Sequence, residues 1–572
     1  MADVRQGDPL LVLGPLLRYV GETAATIWVE TDRACTVGIL GHEAATFEVA
    51  GHHYGLAVIG GLRPGAEYEY QVTLDGTVRW PAADSPFPPS VVRTLEPDGP
   101  LRLVFGSCRI AELPARRRRP GRAGHQPEHG ADALSACALG LRGMPRERWP
   151  DVMLLIGDQV YADEVGPATR EFIRERRDPA QPPGSQVADF AEYCFLYHEA
   201  WSEPSVRWLL SVMPTAMIFD DHDVRDDWNI SAAWRRDYQA LPWWRPRITG
   251  AFMSYWIYQH LGNLSPEDLG QDELWRRVQE AGDAASVLGD FAVRADQGAE
   301  GIQWSFRRTL GRVCVVVIDS RAGRVVRDGQ RLMVNEAEWQ WVTESVSGDW
   351  DHVVLATSVP LLLSSGLHGL EAWNEAVCDG AWGTYAARAG ERIRRAADLE
   401  HWAAFGRSFA EFGRLLAGLA AGTLGPPPAS ITVISGDVHH SYLAAVDLPA
   451  GTRPHSAIYP HSAIYPHSAI YPHSAVYQAV CSPIHNLLPD QFRRVLRLVT
   501  SRAGELIGTA LARLAGVPKP EIRWRITHGP WFYNMLSMLE FDGRRARIRF
   551  ERTTPDASGP AHLLPVCETE LS

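Results

Sequence analysis

Apolar and polar positions follow two regimes along the chain. In the first hundred residues, short segments at 24–31, 35–40 and 68–74 alternate or run as strands, with turn residues between them and no helical period. That pattern predicts a β-sandwich of about seven short strands with Trp28 in its core. The segment Leu62-Arg63-Pro64-Gly65-Ala66-Glu67-Tyr68 is similar to the turn into a late strand of a fibronectin type III domain, and Leu95-Glu96-Pro97-Asp98-Gly99-Pro100 has the composition of a linker. Beyond it, uninterrupted apolar runs near 104, 154, 217, 312–319, 352–358 and 432 alternate with helical periodicity at 186–211, 250–262, 336–346, 386–420 and 490–515. A terminal hairpin, 535–541 with 545–552, is expected around Asp542-Gly543. This predicts layered sheets covered by helices, with domains at 1–97 and 98–572.

Chemistry gathers at the ends of four of these runs: Val104-Phe105-Gly106-Ser107-Cys108, Ile156-Gly157-Asp158-Gln159-Val160-Tyr161-Ala162-Asp163, Ile218-Phe219-Asp220-Asp221-His222-Asp223 and Ile434-Ser435-Gly436-Asp437-Val438-His439-His440. A continuous β-prone run reads as a strand buried on both faces, and open α/β sheets build their sites where such strands end. Taken alone, Asp158 also reads as a helix cap, Tyr161 as core and Cys108 as a small buried hydrophobe. The acidic run 220–227 is harder to explain as a solvated face, because it follows Ala216-Met217-Ile218-Phe219 and contains Trp228. Carboxylates packed this closely repel unless cations or arginines intervene. Asp437 and His439, two residues apart, share one face.

Composition narrows the function classes. With 572 residues, 45% hydrophobic and 22% charged, the chain can bury a large core. A net charge of −12 argues against a stable nucleic-acid complex, which needs a basic face. No uncharged stretch is long enough to span a membrane. Eight scattered cysteines without a Cys-x-x-Cys pair, and an N-terminus without a secretion or twin-arginine pattern, lead us to expect a cytoplasmic protein. Two segments look like insertions: a basic loop at 114–122, and a tandem His-Ser-Ala-Ile-Tyr-Pro repeat over 455–477, expected to be an expanded surface loop.

In their order along the chain, Gly106-Ser107-Cys108, Gly157-Asp158-Gln159-Val160-Tyr161-Ala162-Asp163, Asp220-Asp221-His222-Asp223, Asp319-Ser320-Arg321-Ala322-Gly323-Arg324 and Ser435-Gly436-Asp437-Val438-His439 resemble the motifs of PhoD-type alkaline phosphatases, a branch of the calcineurin-like metallophosphoesterases. The resemblance implies an α/β fold, a four-layer α/β/β/α metallophosphatase domain behind a fibronectin III/Ig-like sandwich. It also implies two or more metal ions, Fe³⁺ and Ca²⁺, with Mn²⁺ or Zn²⁺ as alternatives. Cys108, Tyr161 and His439 would hold the iron, Asp158 would bridge, and Asp437 with Asp221 or Asp226 would hold the second ion. His222 and Arg321 would act on the phosphoryl group, and Arg324 would clamp phosphate oxygens, a salt bridge to the 220s acids being the other reading for one of the arginines.

The implied activity is a phosphodiesterase or phosphomonoesterase in which a metal-activated water attacks phosphorus in line. Its partner is a small phosphate ester or a phosphorylated polymer. The aromatic stretch 234–258 and His368 to Trp373 are candidates for the mouth, with core packing as the other explanation. A different class, a non-catalytic binding or scaffold protein with a vestigial metallophosphatase fold, would keep the sandwich and lose the ligand set.

Overall fold

A computed structural model describes residues 7–111, 130–298, 301–327, 329–448, 474–554 and 561–572. Two large sheets dominate. The first has six strands in the order Thr215–Ile218, Val152–Ile156, Leu101–Gly106, Met535–Asp542, Arg545–Thr553, Leu563–Glu570, the first three parallel and the rest antiparallel. The second has seven, Phe306–Leu310, Val313–Ile318, His352–Thr357, Ser430–Ser435, Ala475–Val480, Ser441–Asp447 and Arg523–Trp531, with parallel pairing from Val313–Ile318 through Ala475–Val480. Every residue of Val152–Ile156, Thr215–Ile218, Val313–Ile318 and Ser430–Ser435 is buried, as expected of strands covered on both faces.

Alternation along the second sheet assigns its faces. Val315, Val317, Val354, Ala356 and Ile434 join the core that also holds Leu103, Phe105 and Leu155 of the first sheet. Their neighbours Val316, Ile318, Val353, Leu355 and Val433 pack with Val342 of helix Glu336–Ser345 and Phe412 and Leu416 of helix Gly406–Ala421. Each such aliphatic side chain, fully buried, stabilises the fold by roughly 1.5–3 kcal/mol relative to exposure.

The N-terminal region is β-rich, with ten short strands in sheets of four, four and two. Trp28 is fully buried, as expected. The expected strand 68–74 is broken in two: Glu67–Glu69 pairs with Val91–Arg93, while Val72–Leu74 belongs to another sheet. Tyr70 sits at the switch, its N–H donating to the Ser90 carbonyl and its hydroxyl to the Ser211 carbonyl. Arg18 ties this region to the rest: fully buried, it donates to the carbonyls of Thr215, Tyr258 and Gln259 at 3.2, 2.5 and 2.6 Å.

Three expected helices are interrupted. The stretch 186–211 becomes Phe190–Trp201 and Pro204–Val212, because Pro204 lacks the N–H to continue a helix and instead starts a new one. The stretch 490–515 breaks where the Ser501 side chain accepts from Gly504 N–H as an N-cap. The stretch 386–420 becomes Thr384–Ala396 and Gly406–Ala421, and the break between them carries Asp398, Glu400 and His401.

Most of the tandem repeat, like the basic segment 114–122, lies outside the described residues. Its last copy is not a surface loop: Ala475, Val476 and Tyr477 open strand Ala475–Val480 inside the seven-stranded sheet. The earlier copies have Pro where this copy has Gln478. Gln478 is fully buried, accepts from Leu362 N–H at 2.7 Å and donates to the Leu362 carbonyl at 2.7 Å, bonds that proline has no side-chain amide to make.

Candidate metal centre

The chemistry-bearing clusters meet where the two sheets end side by side. Cys108 and Asp158 follow adjacent parallel strands of the first sheet, Asp220 and Asp221 follow the third, and Asp437 and His439 follow a central strand of the second. Close approach explains the glycines before two of these acids. A methyl on Gly157 would lie 2.7 Å from Asp220 Cβ, and one on Gly436 would lie 2.0 Å from Ser107 Oγ. Cys108, Asp158, Asp437 and His439 all have positive φ, between 51° and 66°. A left-handed backbone at four non-glycine residues persists only where the surroundings enforce it, and such residues cluster at functional sites.

The floor is a buried carboxylate cluster. Asp158, Asp220, Asp221 and Asp437 each offer an oxygen within 4.8 Å of the others, and Asp158 and Asp221 form a second such group with His222. Cys108 Sγ lies 3.3 Å and the Tyr161 hydroxyl 3.5 Å from Asp158 Oδ2. Ser482 Oγ, 3.2 Å from Cys108 Sγ, also accepts from His439 N–H, linking thiol and histidine. Burial, then Cys108 and Asp220, push the Asp158 carboxyl well above its ordinary range. Burial likewise takes Asp221 up to about 7 although Arg321 pulls it down, and raises the Cys108 thiol to about 12.

Arg321 is the counter-charge. Its guanidinium, with no exposed surface, pairs with Asp220 and Glu400 and stands 3.2 Å from Asp221 and 3.8 Å from Asp437. Asp437 is also held by His401, whose Nε2 lies 2.9 Å from Asp437 Oδ2 while its Nδ1 lies 2.6 Å from Glu371 Oε1. Against the effect of burial, His401 and then Arg321 keep the Asp437 carboxyl below the usual carboxylate range.

Above the floor, His222 is 20% exposed, its Nδ1 2.9 Å from Asp163 and its ring stacked on Tyr161 at 4.4 Å between centroids. Burial disfavours its charge, but Asp163 and Asp221 outweigh that and hold the imidazole well above its ordinary pKa. His439 directs Nδ1 to the Asn486 carbonyl at 2.8 Å, the contact that orients a histidine to ligate through Nε2. Asp223, by contrast, is architectural: its carboxylate accepts from the N–H groups of Asp158, Val160 and Asp220.

The structure thus gathers Cys108, Asp158, Tyr161, Asp221, His222 and Asp437, and sets His439 beside them through Ser482. It separates two other candidates. Asp226 has a side chain 61% exposed and lies 3.8 Å from His222 Nε2, outside the carboxylate groups. Arg324 is buried, donating to the Ser320 and Glu400 carbonyls and pairing with the Glu400 carboxylate at 2.9 Å, so its donors are spent away from the mouth. Arg321 takes the salt-bridge reading rather than the phosphate clamp, because four acids surround it. The aromatics Trp234, Trp244, Tyr255, Trp256 and Tyr258, with His368, are core residues, not mouth.

Sequence reasoning missed Glu400, His401 and Asp398. Asp227, Asp398 and Glu400 form a third group of converging oxygens. Their signal was present as Asp398-Leu399-Glu400-His401, hidden within an apparently continuous helical period. The donor set fits metal ions: Asp158 Oδ1 and Asp220 Oδ2 are buried without a hydrogen-bond partner, and mutually repelling carboxylates need cations.

A domain family of unknown function (DUF7800) matches residues 8–92, and no curated protein sequence matches the chain. Among solved structures, one described as "Structure of PhoD" superposes with a TM-score of 0.57 at 13% identity, covering 100% of this chain and 94% of that one. A purple acid phosphatase, PPD1, from yellow lupin (Lupinus luteus) seeds covers 98% of this chain and 75% of its own, with a TM-score of 0.45 and 9% identity. The PhoD-like phosphatase family matches residues 141–459, more than half of the 572. That span contains every acid of the buried floor, and the chain therefore belongs to the PhoD-like phosphatase family, as a phosphoric ester hydrolase.

Proposed function

We propose that the protein hydrolyses phosphodiesters and phosphomonoesters with two or more metal ions held at the ends of the two large sheets. The observation that carries this reading is the set of four carboxylates with oxygens within 4.8 Å of one another, Asp158 Oδ1 and Asp220 Oδ2 being buried without a hydrogen-bond partner. A phenolate is a hard donor suited to ferric iron, and the resemblance to PhoD-type phosphatases implies that Cys108, Tyr161 and His439 would hold that ion, with Asp158 serving both. Asp221 and Asp437, hard oxygen donors, are assigned to Ca²⁺ or Mn²⁺. When bound, such ions bring a water's pKa towards neutrality and neutralise charge developing on the phosphoryl oxygens.

The chain's own groups do the rest. His222, kept protonated by Asp163, presents Nε2 at the open side and donates a proton to the leaving oxygen. Arg321 acts as a positioning residue, holding Asp220, Asp221 and Asp437 in register from below. His401, braced by Glu371, orients Asp437. The substrate is a small phosphate ester or a phosphorylated polymer, and the net charge of −12 argues against a stable nucleic-acid complex. Eight free cysteines favour a reducing compartment.

We further assign 98–572 to a four-layer α/β/β/α domain and 1–97 to a fibronectin III/Ig-like sandwich. Supporting the second is Tyr68, whose hydroxyl accepts from Arg63 N–H at 2.8 Å, the bond of a tyrosine corner. Metal analysis joined to turnover of bis-p-nitrophenyl phosphate and p-nitrophenyl phosphate, before and after chelation, tests the reading. Bound iron with a tyrosinate charge-transfer band and chelator-sensitive turnover is the expected result. A protein that stays inert after reconstitution with Fe, Ca²⁺ and Mn²⁺ would instead mean a binding module.

A further inference from the structure

Helix Arg502–Leu514 is turned inside out. Its inner side is glycine: a methyl on Gly508 would lie 2.1 Å from the Gly366 carbonyl oxygen, and one on Gly369 would lie 2.6 Å from the Gly508 carbonyl carbon. The helix therefore crosses helix Ser365–Cys378 backbone to backbone, and Gly508 is its one buried residue. Its outer side is apolar. Leu506, Ile507 and Leu514 are 73%, 61% and 72% exposed, and Ala503 and Ala510 continue the same stripe at helical spacing. The preceding helix, Asp490–Val499, adds Phe492 at 55% and Leu498 at 68% exposed. A water-facing helix is expected to do the reverse. Small residues at the helix contact and leucines outside is the arrangement of helices whose outer solvent is lipid.

Charge identifies the occupant. Residues 490–520 hold six basic and two acidic side chains in a chain of net charge −12. Arg494, Arg502 and Arg513 are exposed alongside the apolar stripe. A second copy meeting this patch about a twofold axis would set arginines against arginines. No helix among the described residues is long and apolar enough to cross a membrane. We propose that the hairpin 490–514 docks the protein on an anionic lipid surface, with the leucines in the acyl boundary and the arginines at the headgroups. The hairpin starts four residues after Asn486, whose carbonyl holds His439, so the docking segment is joined to the site by a short stretch of chain.

The test uses the full chain and reads binding, not hydrolysis, so it stands apart from the functional assignment. In co-sedimentation with vesicles, binding to phosphatidylglycerol/phosphatidylcholine is expected to exceed binding to phosphatidylcholine alone at least about tenfold in low salt, and to fall as salt screens the arginines. Leu506→Ser/Ile507→Ser/Leu514→Ser should cut that binding at least about tenfold while leaving turnover of a soluble ester and the melting curve unchanged. Should that variant melt early, Arg494→Glu/Arg513→Glu carries the test, with the preference for phosphatidylglycerol lost. Absence of wild-type binding to phosphatidylglycerol vesicles overturns the proposal. So does a concentration-dependent dimer that the leucine variant abolishes.

Discussion

Beneath the mouth, Asp158, Asp220, Asp221 and Arg321 have at most 2% of their surface exposed, whereas on helix Arg502–Leu514 two leucines and an isoleucine are more than 60% exposed. The two regions depart from ordinary partition in opposite directions, one burying charge and the other presenting apolar surface to solvent. Folding alone selects neither, since buried like charges and unburied leucines both forgo stability. In each case the local structure is committed rather than loose: positive-φ aspartates grip the floor, and glycine packing clamps the helix. The missing partner is different in kind, cations for the floor and a negatively charged apolar surface for the helix.

The largest effect that would break this comparison is at Asp158. Asp158→Asn should lower hydrolysis at least about a thousandfold, yet raise the melting temperature of the metal-free protein, because it removes one of the mutually repelling carboxylates. Retention of turnover would remove Asp158 from the site.

Next comes pH. With Asp221 raised to about 7 in the fold and ordinary when unfolded, the metal-free native state holds more protons than the unfolded chain between about pH 4 and pH 7. Its stability should therefore fall as pH rises through that window, by on the order of 4 kcal/mol, and metal should abolish the slope. Denaturant titrations with and without chelator measure this; a metal-free protein most stable at pH 7 would contradict it.

A smaller effect belongs to His401. His401→Gln should weaken metal retention about 10- to 100-fold with the fold intact, as loss of an outer partner does, read by metal content after dialysis. Smallest of all, deleting 455–472, three repeat copies, should leave turnover within about twofold, because the deletion spares Gln478 and its strand. Loss of soluble protein instead would show that the spacing before Ala475 matters.

The residues that meet at the sheet ends were legible because each followed a continuous apolar run: buried parallel strands make Cys108, Asp158, Asp221, Asp437 and His439 stand out at their ends. The terminal hairpin was legible for the same local reason, an Asp542-Gly543 turn between two β-prone runs. Helix breaks were not. At 386–420 the apolar period continues across residues 398–405, so Glu400 and His401 looked like helix surface, while in the fold their contacts with Arg321 and Asp437 decide their place. The repeat misled in the same way, since copies alike in sequence differ at one position, Pro against Gln478, whose meaning depends on the Leu362 backbone beside it.

By itself the amino-acid sequence determined the strand ends, the polar residue types gathered there and the order of the motifs, because these depend on near neighbours in the chain. Only the tertiary structure decided which acids of 220–227 enter the floor, that Arg321 and Arg324 are paired with buried carboxylates, and that the leucines of Arg502–Leu514 face outward. Those outcomes depend on contacts between residues tens to hundreds of positions apart, and on which face of a helix its glycines bring against a neighbour.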